Sequence, residues 1–496
     1  MAATTLGKQR RHEGGLTVAM MLTGALLAAM LALLLVAGSG LWPAAMLLGG
    51  LVLAALVWHR PAASVYLLWF CAIAVEAQPL KFGLSITDEL RAFQDLQALI
   101  GVPGLAFNGV ELLAAYAAGV VVLKRVAAGE GLRAGALIGP FAVLLGVLAL
   151  GIVRGVMAGG DATIALWGVR GAGIMFIAYL LSANLIESKA QVRALVLVLV
   201  GAAALKGLIG LWRYAVDIRF DLSRVAEAAG GNSLMEHEES FFFLMVVLLA
   251  ALTLVYAVNS HDRRLALLSA ALVALPLLAN QRRAAIAALL LAAVVTVVVV
   301  YVTGPRWRRG IVRGLMVAAL VLPAYVYLGW GHVSVLTMPV QAIKSGIAPD
   351  QRDASSNAYR EIEDRNLRAT AAENPLLGIG LGLPMRQVAP LPNIGAAYAW
   401  YLLLPHNGLL WLAMTTGVAG LATFSYLAAS AGVKSLQALR GATDPELRLV
   451  YLLTLLALTG YLVFALLDQG LLSQRIGIFM GVLLGLLPTA KTGAPA

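Results

Sequence analysis

The sequence predicts an all-α fold: a polytopic transmembrane helical bundle of 12 to 14 spans with a long, partly helical loop on its outer face. Three observations predict it. Of the 496 residues, 61% are apolar and only 12% charged, with mean hydropathy +0.87, a composition that excludes a soluble domain of this length. Apolar runs of roughly 17–24 residues, enough to cross the hydrocarbon core, recur along the chain. Short alternating strands are not visible, and without a closed barrel only helices satisfy the backbone polar groups in lipid.

The runs fall near 17–37, 41–58, 62–78, 107–124, 134–153, 162–184, 192–213, 237–258, 264–281, 284–303, 311–330, 405–427, 447–467 and 472–490. Lys8, Arg10 and Arg11 precede the first, with no small-residue cleavage site after it. The first run therefore reads as a transmembrane helix with its N-terminus inside, not as a signal peptide. Starting inside, the inner loops hold Lys124, Arg125, Arg133, Lys189, Arg193, Arg263, Arg264, Arg306, Arg308, Arg309, Arg313, Lys434, Arg440 and Arg448. Those loops are mostly short, so the positive-inside rule favours this topology. The tail Lys491–Ala496 reads as disordered. The single cysteine, Cys71, lies in an apolar run; it excludes a disulfide within one chain and reads as a small buried hydrophobe.

The spans divide the chain into an N-terminal bundle (1–330), a loop (331–404) and C-terminal helices (405–496). The loop is far longer than ordinary connections and is expected to carry function. Its middle, Ala354 to Ala372, is rich in Ala, Glu and Arg and predicts a surface helix capped by Asp353, Ser355 or Ser356 and stopped at Asn374-Pro375. Gly378, Gly380 and Gly382 then predict a flexible, close-packing stretch. A second outer loop, 79–106, holds Thr87-Asp88-Glu89 and a short amphipathic helix; a third, 214–236, holds Arg219, Asp221, Arg224 and Glu227.

Several cations stand on the outer face against the charge rule. Arg282-Arg283 separates two apolar runs, and Arg360, Arg365 and Arg368 lie in the long loop. Guanidinium forks bind diphosphate bidentately and keep their charge, so this grouping suits a lipid-linked diphosphate. Arg170 and Lys206 lie about 10 Å inside the outer half of their spans, counted at 1.5 Å per residue. Cations there must face the bundle interior or a water-filled cavity, either as ion pairs with acids such as Glu76 and Glu111 or as substrate ligands. His406, in Pro405-His406-Asn407, stands where the loop re-enters an apolar helix and is placed to accept a hydroxyl proton. His237, in Glu236-His237-Glu238-Glu239, is its rival; a metal reading there lacks a second histidine at helical spacing, and the acids also suit a helix N-terminus.

Three motifs in order resemble the O-antigen ligase and O-antigen polymerase superfamily of membrane glycosyltransferases. Asn280-Gln281-Arg282-Arg283-Ala284-Ala285 is similar to its arginine–small-residue motif, with Arg283 the closer match because Arg282 replaces a usual serine. Arg360 precedes Pro375-Leu376-Leu377-Gly378-Ile379-Gly380 as the loop arginine does in that family, though Asp364 and Arg365 stand where an aromatic is usual. His406-Asn407-Gly408 opens a helix that continues to Gly417-Val418-Ala419-Gly420. The resemblance covers about 280–427.

It implies an inverting transferase in the bacterial inner membrane whose active site faces the periplasm. The implied partners are an undecaprenyl-diphosphate-linked glycan as donor, lipid A–core or another glycan as acceptor, and membrane lipid, with no nucleic acid. His406, Arg283 and Arg360 would be catalytic. Arg282, Arg365, Arg368, Arg170, Lys206 and Asn407 would bind substrate. No cofactor and no metal is implied. An O-antigen ligase is the first expectation and an O-antigen or exopolysaccharide polymerase the second. A lipid-linked sugar transporter or flippase is the rival from another class, against which stand the one-sided loop and the lack of an internal repeat.

Overall fold

The computed structural model describes residues 41–77, 87, 90–97, 106–221, 234–395 and 398–488. The first predicted span, the Asp88-Glu89 pair, most of the second outer loop with its amphipathic helix, Arg224, Glu227 and the C-terminal tail lie outside them. The described chain is an all-α bundle. In order come α1 (Leu41–His59), α2 (Ala62–Ala74), α3 (Gly109–Ala127), α4 (Ile138–Met157), α5 (Ala162–Leu185) and α6 (Lys189–Trp212), the last running into a π turn (Arg213–Asp217). Next are α7 (His237–Val255), α8 (Ser260–Ala279), α9 (Arg283–Thr303) and α10 (Arg308–Gly329). The long loop contributes α11 (Met338–Ile347) and α12 (Gln351–Glu373), and the chain closes with α13 (Gly408–Gly441), α14 (Pro445–Leu467) and α15 (Gln474–Gly485).

Every predicted span from 41–58 onward coincides with one of these helices. Among the described residues, eight stretches, covering α4 to α7, α9, α10, α13 and α14, are long and apolar enough to cross a membrane. α2 and α15 are apolar but shorter, whereas α3 and α8 have the length but carry charges such as Lys124, Arg125 and Arg263 in their end turns. Polar residues set the helix starts by taking up orphan N–H groups. Asn108 with Glu111 and Ser188 with Gln191 form capping boxes, and Asp161, Asp444 and Ser473 cap α5, α14 and α15.

The bundle has two polar ends. At one, loop charges meet: Lys189 with Asp444 (2.6 Å), Arg193 with Asp262 (2.6 Å) and Arg133 with Glu187 (2.8 Å). At the other gather the starts of α3, α7, α9, α13 and α15 and the described residues of segment 331–404. α15 packs tightly on α5 because Gly477 and Gly481, one turn apart, let backbones touch; a Cβ on Gly481 would lie 2.2 Å from the Met175 carbonyl oxygen.

The glycine segment is not a flexible linker, which corrects that part of the sequence expectation. It winds through turns into the bundle as a strap between α4 and a kink in α13. Ile379 and Gly380 donate to the carbonyls of Met414 and Thr415 (2.9 and 3.0 Å), while Val418 and Ala419 donate to those of Pro375 and Leu376 (2.8 and 3.1 Å). Leu381 donates to Gly151 (2.9 Å) on the other side. Gly417, at φ 66°, breaks the α13 ladder, and the strap satisfies the groups so freed.

Candidate functional site

The site is organised by α12. Its cap is Asp350, whose carboxylate accepts from Asp353 N (2.8 Å); Asp353, Ser355 and Ser356 fall inside the helix, because nothing in 351–354 interrupts a further N-terminal turn. One ridge of α12 is buried. Asn366 holds Ala389 through both backbone groups (2.9 Å each), and Thr370 accepts from Arg386 N (2.9 Å). These contacts seat α12 against the segment that leads to His406.

A second ridge lines a polar cleft of about 170 Å³ with Asp353, Ser356 and Arg360. Its opposite wall is the α8–α9 turn with Gln281, Arg282 and Arg283, and Asp468 and Ser345 also reach it. The turn is held in place by buried Asn280, which accepts from Met235 N (2.8 Å) and donates to Ser240 (2.7 Å) at the start of α7. Gln281 takes a left-handed conformation (φ 53°), which turns the chain so that both arginines face the cleft.

Each arginine is oriented by a neighbour. Arg283 donates to Asn357 Oδ1 (2.7 Å) and Ser356 Oγ (3.4 Å) on α12. Arg360 donates to the Leu467 carbonyl (2.7 Å), at the end of α14. Arg282 stands beside Asp468, whose carboxylate also contacts His237 Nδ1 at 2.7 Å. Burial alone would raise the Asp468 carboxyl; His237 and Arg282 instead hold it below the usual carboxylate range.

His406 sits on the neighbouring face of α12. The Glu363 carboxylate meets it twice, with Oε1 3.1 Å from Nδ1 and Oε2 accepting its backbone N–H at 3.1 Å. The rings of Tyr359 and Tyr398 flank the imidazole at 5.8 and 6.5 Å. Burial pushes the Tyr398 hydroxyl up to about 12, and as a donor it bonds the Leu404 carbonyl (2.9 Å). Asn407 caps α13 through Leu410 N (3.1 Å) and donates to Asp364 (3.2 Å). Burial raises the Asp364 carboxyl despite that bond and despite Arg368 and Arg360 nearby.

The structure thus brings Arg282, Arg283 and Arg360 around one cleft, with His406 and Asn407 bound to the helix that carries Arg360. Arg365 and Arg368 are exposed and do not line the cleft; Arg368 pairs with Asp364 at 3.3 Å. Arg170 and Lys206 do not line it either. Arg170 bonds Asp95 (2.9 Å) and Glu111 (3.2 Å). Lys206, fully buried, pairs with Glu76 and with Glu239 (3.5 Å). Glu76 and Glu111, the acids named from sequence, are among these partners, whereas Asp95 and Glu239 were not foreseen.

Sequence reasoning missed Arg475, which is fully buried and the counterpart of this network. Its guanidinium bonds Glu236 and Glu239 (2.7 Å each) and lies 3.8 Å from Glu238. Among the described residues these three glutamates are the group with metal-ligand spacing, and the guanidinium already supplies their cation. The available signal was a charge inside the apolar run 472–490. Glu363 and Asp468 were missed too, because their partners lie 43 and 231 residues away.

Fold and site together define a multi-pass membrane protein with a cationic cleft and a histidine–carboxylate pair at one end of its bundle. Residues 267–425 match the family model described as O-antigen ligase, a stretch that contains both arginine motifs, the strap and His406. Over that stretch the chain is similar to the O-antigen ligase and polymerase superfamily of membrane glycosyltransferases. No curated protein matches the chain.

Proposed function

We propose that the protein transfers a glycan from undecaprenyl diphosphate to an acceptor sugar hydroxyl at the periplasmic face of the inner membrane. The observation that carries this reading is the convergence of Arg282, Arg283 and Arg360 on one cleft beside the histidine-bearing face of α12. Fixed guanidinium groups in a partly dehydrated cleft neutralise the charge that grows on a departing diphosphate. Such a leaving group then needs little help from a general acid, which accounts for a site without paired catalytic carboxylates.

The chemical step is a single inverting displacement. The acceptor oxygen attacks the anomeric carbon while the bond from that carbon to the diphosphate oxygen breaks, its electron pair leaving with the diphosphate. The hydroxyl proton passes to the outer nitrogen of His406, and Asn407 positions the hydroxyl. Arg170 and Lys206 act one layer behind, tying the helices that frame the site through their carboxylate partners.

The acceptor we favour is lipid A–core, making the protein an O-antigen ligase, in line with the description of the matching family. The test is purified protein in nanodiscs with undecaprenyl-diphosphate glycan, offered lipid A–core or further lipid-linked repeat separately, with EDTA present. Glycan on lipid A–core supports the ligase, and lengthening of the lipid-linked chain replaces it with a polymerase. Translocation of labelled lipid without either product would overturn glycosyl transfer altogether.

A further inference from the structure

A buried carboxylate needs a reason. Glu363 is buried, and it lies three residues along α12 from Arg360 on a helix whose neighbours are charged. Desolvating a carboxylate is costly unless its oxygens are bonded. Both oxygens of Glu363 are bonded to the same residue: Oε2 to the backbone N–H of His406, Oε1 to the ring Nδ1, each at 3.1 Å. The backbone bond fixes where the turn into α13 begins, and the ring bond fixes how the imidazole is rotated about that point. Tyr359, one turn earlier on α12, sets its ring edge-on to the imidazole at 87°, limiting rotation from the side.

An ionised carboxylate only accepts hydrogen bonds, so the proton of a neutral His406 sits on Nδ1 and the lone pair on Nε2. The side chain of His406 is 25% exposed while that of Glu363 is 1% exposed, so the ring is accessible and its partner is not.

We propose that Glu363 is the positioning residue of the transfer reaction: its bidentate hold on His406 sets the tautomer and orientation in which Nε2 receives the acceptor's proton. This rests on the reading of His406 as the base of glycosyl transfer. The same helix would then serve both substrates, Arg360 on the donor side and Glu363 through His406 on the acceptor side. Positioning the two reacting groups on one rigid element limits errors in their spacing.

Glu363→Gln is a nearly isosteric test. If the amide oxygen keeps the His406 backbone N–H, its NH₂ faces Nδ1 and turns that nitrogen into an acceptor. The proton then moves to Nε2, and the base is lost without loss of packing. In the full-length protein in nanodiscs, with undecaprenyl-diphosphate glycan and each acceptor, the variant is expected to lose about 10²-fold in kcat with donor KM unchanged, between the effects usual for outer partners and for a triad carboxylate. Glu363→Asp is expected to recover part of the loss. In a His406→Ala background, Glu363→Gln is expected to cost nothing further.

Turnover of Glu363→Gln within twofold of wild type, a loss confined to donor KM, or an additive loss in the double variant would each overturn the positioning role while leaving transfer intact. A wild-type protein that transfers to neither acceptor would remove the transfer reading, and this role with it.

Discussion

Replacing Arg283 probes the cleft most sharply, because its guanidinium joins a membrane helix to the surface helix through Asn357 at 2.7 Å. If the cleft holds the donor diphosphate as proposed, Arg283→Ala removes a charge-assisted bidentate contact to it, worth about 3 kcal/mol when two such bonds are lost. At about 1.4 kcal/mol per decade, donor affinity should fall roughly 10²-fold. Asn357→Ala leaves the charge in the cleft and removes only the bond that orients it, a cost of about 1.5 kcal/mol, or roughly tenfold. Asn357→Asp should weaken donor binding more than Asn357→Ala, since a carboxylate would both pair with Arg283 and repel the diphosphate. The assay is titration of the three variants in nanodiscs with labelled undecaprenyl diphosphate, at one ionic strength. Unchanged affinity in Arg283→Ala, or a ranking in which Asn357→Asp binds best, would refute an anion site at this guanidinium.

Three further outcomes follow from the fold. Lys206→Ala would remove one of the cations that Glu76 and Glu239 share with Arg213 and Arg475, leaving excess buried negative charge at a cost of about 3 kcal/mol, so detergent-solubilised protein should show a lower Tm, whereas Arg283→Ala should not. Gly417→Ala should lower Tm by several degrees: at φ 66° and ψ −160° an alanine is strained by about 1–3 kcal/mol, and its Cβ would lie 2.4 Å from the Leu376 carbonyl. At the opposite end, burial raises the Asp444 carboxyl, but Lys189 and the N–H groups of Leu447 and Glu446 outweigh it and hold it below its usual range. A depressed carboxyl contributes stability above its unfolded pKa and loses it as pH falls through the lower folded value. Tm should therefore be level above roughly pH 4 and decline below it, less steeply in Asp444→Asn.

The helices were legible because a span needs little beyond an apolar run of sufficient length, and each predicted run within the described residues is helical. The surface helix was legible from its Ala, Glu and Arg content, but its start was not: capping depends on which carboxylate meets a free N–H, and Asp350 reaches it first. The arginines of the cleft were legible as charges on the wrong side of a charge rule. What they touch was not. Asn357, Glu363 and Asp468 are ordinary polar residues until α12 and the end of α14 bring them to Arg283, His406 and Arg282. Lys206 shows the limit from the other side. Its place in the bundle interior was foreseen, yet whether a buried cation serves a ligand or an ion pair depends on residues such as Glu239 arriving from another helix.

The most direct test of the central claim is photo-crosslinking with an undecaprenyl diphosphate analogue carrying the reactive group beside the diphosphate, mapped by mass spectrometry. Crosslinks are predicted on Gln281–Ala284 and Ser356–Arg360, the two walls of the cleft, and unlabelled undecaprenyl diphosphate should compete them away. Crosslinks concentrated instead around Lys206, Arg213 and Arg475 would contradict it, moving the anion site into the buried network.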